Sequence, residues 1–208
     1  MLVAEGIVKS YARGSWPLRR RIGVLDGADI ELHAGEVVGL VGENGSGKST
    51  LMKILVGALA PDAGTVIRSG RLGYCPQVPL VYPRLTCDEH FDLFGRAYGM
   101  AGRAARESQR RIYAALEFGR YGSTRADQLS GGTLAKLNLG LALLPDPQVL
   151  LLDEPYAGFD FDTYQRFWNL MAEHRRARRS VLIVSHFVVD AQRFDRIVEV
   201  RDGKAVPR

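Results

Sequence analysis

Residues 42–50, with the sequence GENGSGKST, constrain the fold of this chain more than any other segment. They follow directly on an apolar run, VVGLV, and precede apolar residues at helical spacing. Glycines let a loop turn sharply and point its backbone N–H groups at an anion, and the N-terminus of the following helix adds a positive dipole. A strand, a glycine-rich loop and a helix in this order predict a phosphate-binding loop in a layered α/β fold.

The same segment fits the nucleotide-binding pattern G-x-x-x-x-G-K-[ST]. We expect Lys48 to neutralise charge on the β- and γ-phosphates, and the Ser49 hydroxyl to bind Mg²⁺. P-loop GTPases and P-loop kinases share the pattern, so it predicts nucleotide binding without selecting the reaction. The residues expected to contact the nucleotide here are Gly42, Glu43, Asn44, Gly45, Ser46, Gly47, Lys48, Ser49 and Thr50.

A second apolar run, residues 149–152, ends in two carboxylates, Asp153 and Glu154. The first acid after such a strand reaches Mg²⁺ directly or through water, which predicts this role for Asp153. Its neighbour Glu154 is then placed to polarise an attacking water as the general base.

Three short runs are apolar at almost every position: residues 37–41, 149–152 and 181–184. Uninterrupted apolar runs are typical of parallel strands that are buried on both faces of a sheet. Apolar residues at helical spacing follow the first two runs, which predicts a doubly wound α/β core. The residues expected to face inward from these two helices are Leu51, Ile54, Leu55, Ala58 and Leu59, and then Phe161, Tyr164, Phe167, Trp168 and Met171.

Residues 77–145 differ from the rest, because they show helical spacing and no convincing strand. Thr86 followed by Glu89 predicts a capping box at a helix start, and further helices are expected at 103–118 and 133–144. Residues 197–206 predict a closing hairpin around Asp202 and Gly203. We therefore expect one domain over 1–208, with a core from 1–76 and 146–208 and a helical subdomain from 77–145.

Residues 129–133, LSGGT, resemble the LSGGQ signature of ATP-binding-cassette (ABC) proteins. Ser130 is placed to cap the next helix, whose Leu134, Leu137, Leu141 and Leu144 would form one apolar stripe. With the two preceding motifs, the chain resembles the ATP-binding subunit of a single-cassette ABC transporter. The resemblance implies a P-loop NTPase (RecA-like) core, an N-terminal antiparallel β-subdomain and an inserted all-helical subdomain.

The resemblance also implies a head-to-tail dimer with a second cassette, identical or related. Ser130, Gly131 and Gly132 would close over the γ-phosphate of ATP held by the partner. Tyr11 matches the aromatic residue that stacks on adenine, and Asp160 matches a loop at the dimer interface.

Two further residues match catalytic positions of the family. Gln77 corresponds to the glutamine that senses Mg²⁺ and the attacking water, and His186 to the histidine that contacts the γ-phosphate. The implied catalytic residues are Glu154, His186 and Gln77, and the implied metal-binding residues are Ser49, Gln77 and Asp153. The chain departs from the family pattern at Thr133, Tyr156 and Phe159, where glutamine, a small hydroxyl residue and leucine are usual.

Composition adds few constraints. Lys and Arg number 28 against 23 Asp and Glu, for a net charge of +5. Arginine clusters near residues 19–21, 103–111 and 175–179 could face nucleic acid or an anionic membrane, but solvated surfaces explain them as well, and we expect no nucleic-acid partner. Cys75 and Cys87 form no metal motif, and no apolar stretch approaches the ~20 residues that span a bilayer.

These observations lead to the hypothesis of a cytoplasmic ATPase bound to the cytoplasmic face of a membrane. ATP would close the dimer, and hydrolysis would reopen it and drive a separate transmembrane permease. The expected permease contact is the segment after Gln77, with Tyr82, Phe91, Phe94 and Tyr98, although most of these aromatic residues are expected in the helical core. A soluble ABC ATPase for nucleic acid or cofactor assembly, and an ATP-gated dimerisation switch, remain alternatives.

Overall fold

The computed structural model describes residues 1–13, 20–185 and 191–208. The strands are β1 (Leu2–Arg13), β2 (Arg20–Leu32), β3 (Val37–Val41), β4 (Ala63–Arg68), β5 (Leu72–Cys75), β6 (Val149–Asp153), β7 (Ser180–Val184), β8 (Arg196–Arg201) and β9 (Lys204–Pro207). The helices are α1 (Lys48–Leu55), α2 (Cys87–Ala97), α3 (Gly102–Leu116), α4 (Gly131–Leu143) and α5 (Phe161–Arg176).

A six-stranded sheet forms the centre, in the order β5-β6-β7-β3-β8-β9. All neighbours pair in parallel except β8 and β9, which form the antiparallel hairpin predicted for the end of the chain. In β6, Leu150 and Leu152 pack on the side of α2 to α5, whereas Val149 and Leu151 pack on the side of α1. Alternate residues thus enter two separate cores, which confirms the prediction of strands buried on both faces.

A second sheet is antiparallel, in the order β2-β1-β4. Leu2, Ala4 and Ile7 of β1 are buried together with α1 and with the adjacent face of the central sheet. The fold is that of a P-loop NTPase with an antiparallel N-terminal sheet, as expected from the sequence.

Helix α1 is shorter than its apolar spacing predicts. It ends at Leu55, and the chain turns at Gly57, whose φ is +84°. The N–H groups of Ala58 and Leu59 both donate to the carbonyl of Lys53. Ala58 is exposed, so the prediction that it faces inward on this helix was wrong.

The described elements between β5 and β6 are all helical. The predicted capping box is confirmed, because the Thr86 hydroxyl accepts from the Glu89 N–H while the Glu89 carboxylate accepts from the Thr86 N–H. Ser130 caps α4 by accepting from the Thr133 N–H at 3.3 Å. The predicted leucine stripe of α4 was incomplete, since its residues from Leu137 onward are buried all around the helix between α2, α3 and the sheet.

Helix α5 begins with Asp160 as its N-cap. Phe167, Trp168 and Met171 are buried as predicted, but Phe161 is 74% exposed because it lies at the first position of the helix, beyond the core. None of the described helices combines the length and apolar character needed to span a membrane.

Candidate functional site

The glycine-rich loop joins β3 to α1 and buries the lysine of the motif. Lys48 is 6% exposed, and its ammonium donates to the carbonyls of Gly42 and Glu43, at 2.7 and 2.8 Å. Burial lowers the pKa of Lys48, and the negative charges of Glu154 and Asp153 oppose this shift. The lysine therefore bridges the start and the end of the loop through these hydrogen bonds, and it is close enough to both acids to be affected by their charges.

Two glycines of the loop adopt backbone conformations that other residues rarely take. Gly42 has φ +144°, and a Cβ there would lie 2.5 Å from the Val200 carbonyl oxygen. Gly47 has φ +109° and is the N-cap of α1, where a Cβ would lie 3.0 Å from the Val24 carbonyl oxygen. The loop therefore needs glycine for its turn and for its close contact with neighbouring strands.

The two predicted acids lie at the carboxyl end of β6. Asp153 is the last residue of the strand and is 5% exposed. Glu154 follows with φ +51°, a left-handed conformation that is uncommon outside glycine, and its N–H donates to the Val184 carbonyl at 3.1 Å. The chain therefore leaves the strand conformation at Glu154, directly after Asp153.

Gln77 joins this group from the neighbouring strand. It follows β5, which pairs in parallel with β6, so the two strands end at the same edge of the sheet. The Gln77 amide donates to the Glu154 carboxylate, with Nε2 3.1 Å from Oε1. The structure thus brings together Gln77 and Glu154, which the sequence linked only through the family resemblance.

Asn138 is part of this arrangement, and sequence analysis missed it. It lies in α4 and is buried, and its amide donates to the Pro76 carbonyl at 2.7 Å and to the Cys75 sulfur at 3.2 Å. These bonds connect α4 to the residue before Gln77. The sequence signal was an asparagine within the otherwise apolar residues 137–143. A polar side chain that is buried in this way normally has a hydrogen-bond partner.

Tyr11 lies at the other side of the loop, on β1. Its ring is exposed, and its hydroxyl lies 3.4 Å from the Thr50 hydroxyl in α1. An open groove of about 910 Å³ borders residues 43–46 of the loop and runs between β1, β2 and the β8–β9 turn. Lys48 and Asp153 do not line this groove.

The remaining predicted residues form a second group at the starts of α4 and α5. A Cβ on Gly132 would lie 2.8 Å from the Gly158 carbonyl oxygen, so the signature loop packs closely against the segment before Asp160. The Asp160 carboxylate accepts from the Thr163 N–H at 2.8 Å, and hydrogen bonds with Thr163 hold its pKa below the usual value. The hydrogen bonds described for Ser130 and Asp160 are helix caps within this group.

His186 lies outside the described residues. Its neighbour Ser185 is described and buried, and the Ser185 N–H donates to the Leu40 carbonyl at 3.1 Å. The proposed role of His186 therefore stays a prediction from the sequence.

The residues of the glycine-rich loop and of the ends of β5 and β6 fit a nucleotide with Mg²⁺. Hydroxyl, carboxylate and amide oxygens on Ser49, Asp153 and Gln77 are the hard donors that Mg²⁺ prefers. In the described part of the chain, the buried Ser46 hydroxyl has no hydrogen-bond partner, which leaves a polar group of the loop available. The buried ammonium of Lys48 adds the positive charge that phosphate requires.

Comparison with known proteins identifies a family and a fold. A profile of the family described as ABC transporter matches residues 25–157. The Nod factor export ATP-binding protein I of Burkholderia lata is 33% identical over 196 residues, which cover 88% of this chain and 64% of that protein. Human ATP-binding cassette sub-family A member 9 is 34% identical over 199 residues, which cover 88% of this chain and 12% of that protein. The chain thus spans less than two thirds of these relatives.

The solved structures that this chain resembles are also ATP-binding subunits or cassettes of ABC transporters. A structure of the ATP binding subunit of an ABC transporter superposes with a TM-score of 0.87 at 25% identity, over 99% of this chain and 88% of that one. A dimeric structure of a bacterial ABC transporter cassette also has a TM-score of 0.87, at 24% identity over 99% of this chain and 96% of that one.

Proposed function

The chain belongs to the ABC transporter family, and on this basis we propose that it binds and hydrolyses ATP to drive a transporter. The observation that carries this proposal is the convergence of three motifs at one edge of the central sheet. Lys48 closes the loop after β3, and Gln77 donates to Glu154 where β5 and β6 end. Phosphoryl transfer to water needs a loop that holds the phosphates, acids that bind the metal and accept a proton, and a polar side chain that orients the water. The glycine-rich loop, the paired acids and the glutamine supply these parts.

In this proposal, the loop of residues 42–50 holds the phosphates with its N–H groups and with Lys48. Tyr11 would contact the adenine, since its ring is exposed and its hydroxyl lies close to the Thr50 hydroxyl at the start of α1. Ser49, Asp153 and Gln77 hold Mg²⁺, which when bound neutralises phosphate charge. Glu154 accepts the proton of the attacking water, Gln77 orients the Glu154 carboxylate, and His186 contacts the γ-phosphate.

A second cassette completes the site. Ser130, Gly131 and Gly132 of one subunit would contact the γ-phosphate held by the loop of the other, in a head-to-tail dimer with Asp160 near the interface. The exposed Gly131 at the start of α4 supports this role, because free N–H groups at a helix N-terminus bind anions. The dimeric cassette structure that this chain resembles supports the same assembly.

The transmembrane permease would dock on the segment between Gln77 and α2, at the edge of the proposed helical subdomain of residues 77–145. Val78, Leu80 and Tyr82 there are 74, 69 and 58% exposed. The segment is nevertheless anchored, because the Tyr82 N–H donates to Nε2 of the buried His90 at 2.8 Å. An ordered apolar surface beside Gln77 supports docking that senses the nucleotide. The fully buried Phe91 belongs to the core and not to this surface.

The chain would then act at the cytoplasmic face of a membrane, through its permease. The Nod factor relatives are named for export, which supports outward transport for the proposed transporter as well.

The test compares Glu154→Gln and Lys48→Ala with the wild type in ATP binding and in multiple-turnover hydrolysis. We expect Glu154→Gln to keep ATP affinity within about threefold and to lose at least about a hundredfold in kcat, because it lacks a base. Lys48→Ala should lose affinity itself. Unchanged hydrolysis in Glu154→Gln would refute its assignment as the base, and absence of ATP binding by the wild type would refute the function.

The permease is tested by affinity capture from gently solubilised membranes, with Glu154→Gln and ATP holding the dimer closed. We expect to recover a multi-span membrane protein. A Leu80→Glu, Tyr82→Glu double variant should no longer capture this protein, although it should still bind ATP. Capture of soluble proteins or nucleic acid alone would contradict the transporter role.

A further inference from the structure

Tyr156 differs from the family pattern, in which a small hydroxyl residue usually follows the acids at this place. It lies two positions after Glu154 in the turn that leaves β6. Serine or threonine carries its hydroxyl directly on Cβ, whereas tyrosine carries it at the far end of a rigid ring. The substitution therefore moves a hydroxyl group to a different part of the structure.

The Tyr156 hydroxyl reaches the end of the next strand, β7. It donates to the Ser185 hydroxyl, with Oη 2.7 Å from Oγ. Ser185 is 3% exposed, so this hydrogen bond lies away from bulk water, where the loss of a partner is costly. A side chain from the turn after β6 is thus bonded to the residue that follows β7.

Aromatic packing holds the Tyr156 ring in place. Its ring meets Tyr164 and Phe167 of α5 edge to face, with both centroid distances at 5.5 Å. Such edge-to-face pairs favour one ring orientation. The hydroxyl is therefore presented to Ser185 by a ring with little freedom to turn away.

The two strand ends that this bond joins both lie at the proposed catalytic edge. One backbone hydrogen bond already connects them, from the Glu154 N–H to the Val184 carbonyl at 3.1 Å, and a second, from the Ser185 N–H to the Leu40 carbonyl at 3.1 Å, joins the end of β7 to β3. Leu40 is the residue before the last of β3, the strand that leads into the glycine-rich loop. Tyr156 adds a side-chain connection to this backbone set.

We propose that Tyr156 is a positioning residue for ATP hydrolysis, whose hydroxyl holds the end of β7 in register with the turn that carries Glu154. The inference rests on the proposed function, because it assigns Glu154 to the hydrolysis step. Tyr156 acts through the geometry of Glu154 and Ser185 and does not itself contact the substrate.

The main test is the substitution Tyr156→Phe, which removes the hydroxyl and keeps the packed ring. We expect kcat to fall about tenfold while KM for ATP stays within about twofold, since misplacement of a catalytic group affects the reaction more than binding. Ser185→Ala should give the same result. The double variant Tyr156→Phe, Ser185→Ala should lose clearly less than the product of the two single effects on kcat, because both variants remove the Tyr156–Ser185 bond.

Tyr113→Phe is a matched control. The Tyr113 hydroxyl donates to the Asp88 carboxylate at the same 2.7 Å, and its ring also packs edge to face against phenylalanine, but in α3, remote from β6 and β7. This variant should lose comparable stability and keep kcat within about twofold. The proposal would be overturned by an unchanged kcat in Tyr156→Phe or by an equal loss of kcat in Tyr113→Phe. It would also be overturned if the losses of kcat in the two single variants multiplied in the double variant.

Amide hydrogen exchange separates this inference from the proposed function. We expect Tyr156→Phe to speed exchange of the Glu154 and Ser185 N–H groups about tenfold, with no change in the Tyr113→Phe variant. If the wild type hydrolysed no ATP, the proposed function would fall, while the exchange rates would still decide whether Tyr156 joins the two strand ends. Exchange at the wild-type rate in Tyr156→Phe would refute that connection.

Discussion

The side-chain amide of Gln77 donates a hydrogen bond to the carboxylate of Glu154, across 77 positions of sequence. The two residues follow β5 and β6, which are neighbouring parallel strands, and this pairing places their side chains at one edge of the sheet. The bond gives the proposed general base a fixed neutral partner. A change of side chain at residue 77 should therefore alter the activity that depends on Glu154.

Replacement of Gln77 by glutamate tests this relationship. The variant removes the amide donor and places a second carboxylate beside Glu154, where two neighbouring negative charges repel each other. We expect kcat for ATP hydrolysis to fall at least about tenfold. Gln77→Met is the neutral control, which removes the donor without adding a charge, and its loss of kcat should be smaller. Equal kcat values for the two variants would contradict the proposed pairing.

Asn138 should stabilise the fold as well as the site. Asn138→Leu removes the hydrogen bond to the Pro76 carbonyl and leaves that carbonyl without this donor. We expect the free energy of unfolding to fall by about 1–3 kcal/mol, measured by urea denaturation. Gln109→Ala is the control, because its amide bond to Asp88 lies on the exposed surface, and a loss of about 0.5 kcal/mol or less is expected. Equal losses in both variants would show that Asn138 has no special role.

Gly73 marks the closest approach between β5 and α4. A Cβ there would lie 2.2 Å from the Ala142 carbonyl oxygen and 2.9 Å from Cγ of Pro147. Gly73→Ala should therefore destabilise the protein by about 1–3 kcal/mol, seen as a lower thermal midpoint. Gly23→Ala in β2 is the matched control, since a Cβ there meets no atom within 4 Å. A midpoint for Gly73→Ala as high as that of Gly23→Ala would contradict the described packing.

Asp62 should make the stability of the N-terminal sheet depend on acid pH. Its carboxylate accepts from the Lys9 ammonium at 2.9 Å and from the Ser10 hydroxyl at 2.8 Å. These bonds lower the pKa of Asp62 well below the ordinary value of 3.8, and the hydrogen bond from Lys9 has the largest effect. A lowered pKa in the folded state stabilises the protein above the unfolded-state pKa, and this stabilisation is lost as pH falls toward the folded-state pKa.

The measurement is the urea midpoint of wild type and Asp62→Asn between pH 7 and pH 2. We expect the variant to be less stable at pH 7, with a difference that narrows below about pH 4, because Asp62 takes up a proton there in the unfolded wild type while it stays ionised in the folded one. Asp92→Asn serves as a comparison, because its ion pair with Arg96 is largely exposed and contributes little. A difference for Asp62→Asn that stays constant with pH would refute the proposed linkage.

The local patterns were predictable because each depends on residues close in sequence. The capping box of Thr86 and Glu89 and the Ser130 cap need only a side chain three positions from its backbone partner. The apolar strands also followed from local composition. Helix ends were less certain, and α1 stops four residues before Leu59 because Gly57 turns the chain.

The family resemblance assigned candidate residues but not their contacts. It named Gln77 and Glu154 separately, and it gave no role to Asn138 or to the Tyr156–Ser185 bond. Phe161 matched the helical spacing and is nevertheless exposed. Periodicity describes which residues share a face of a helix, whereas the position of the helix in the fold determines whether that face is covered.

Three buried strands, the terminal hairpin, the glycine-rich loop and the caps at Thr86 and Ser130 were predictable from the sequence, because these features depend on backbone preference and short-range hydrogen bonds. The strand ends that meet at the site were visible only in the folded chain. Pairing of β5 with β6 and of β6 with β7 brings Gln77, Glu154 and Ser185 together from three separate segments. Such contacts depend on strand order and register, which the packing of the whole chain selects and no local pattern contains.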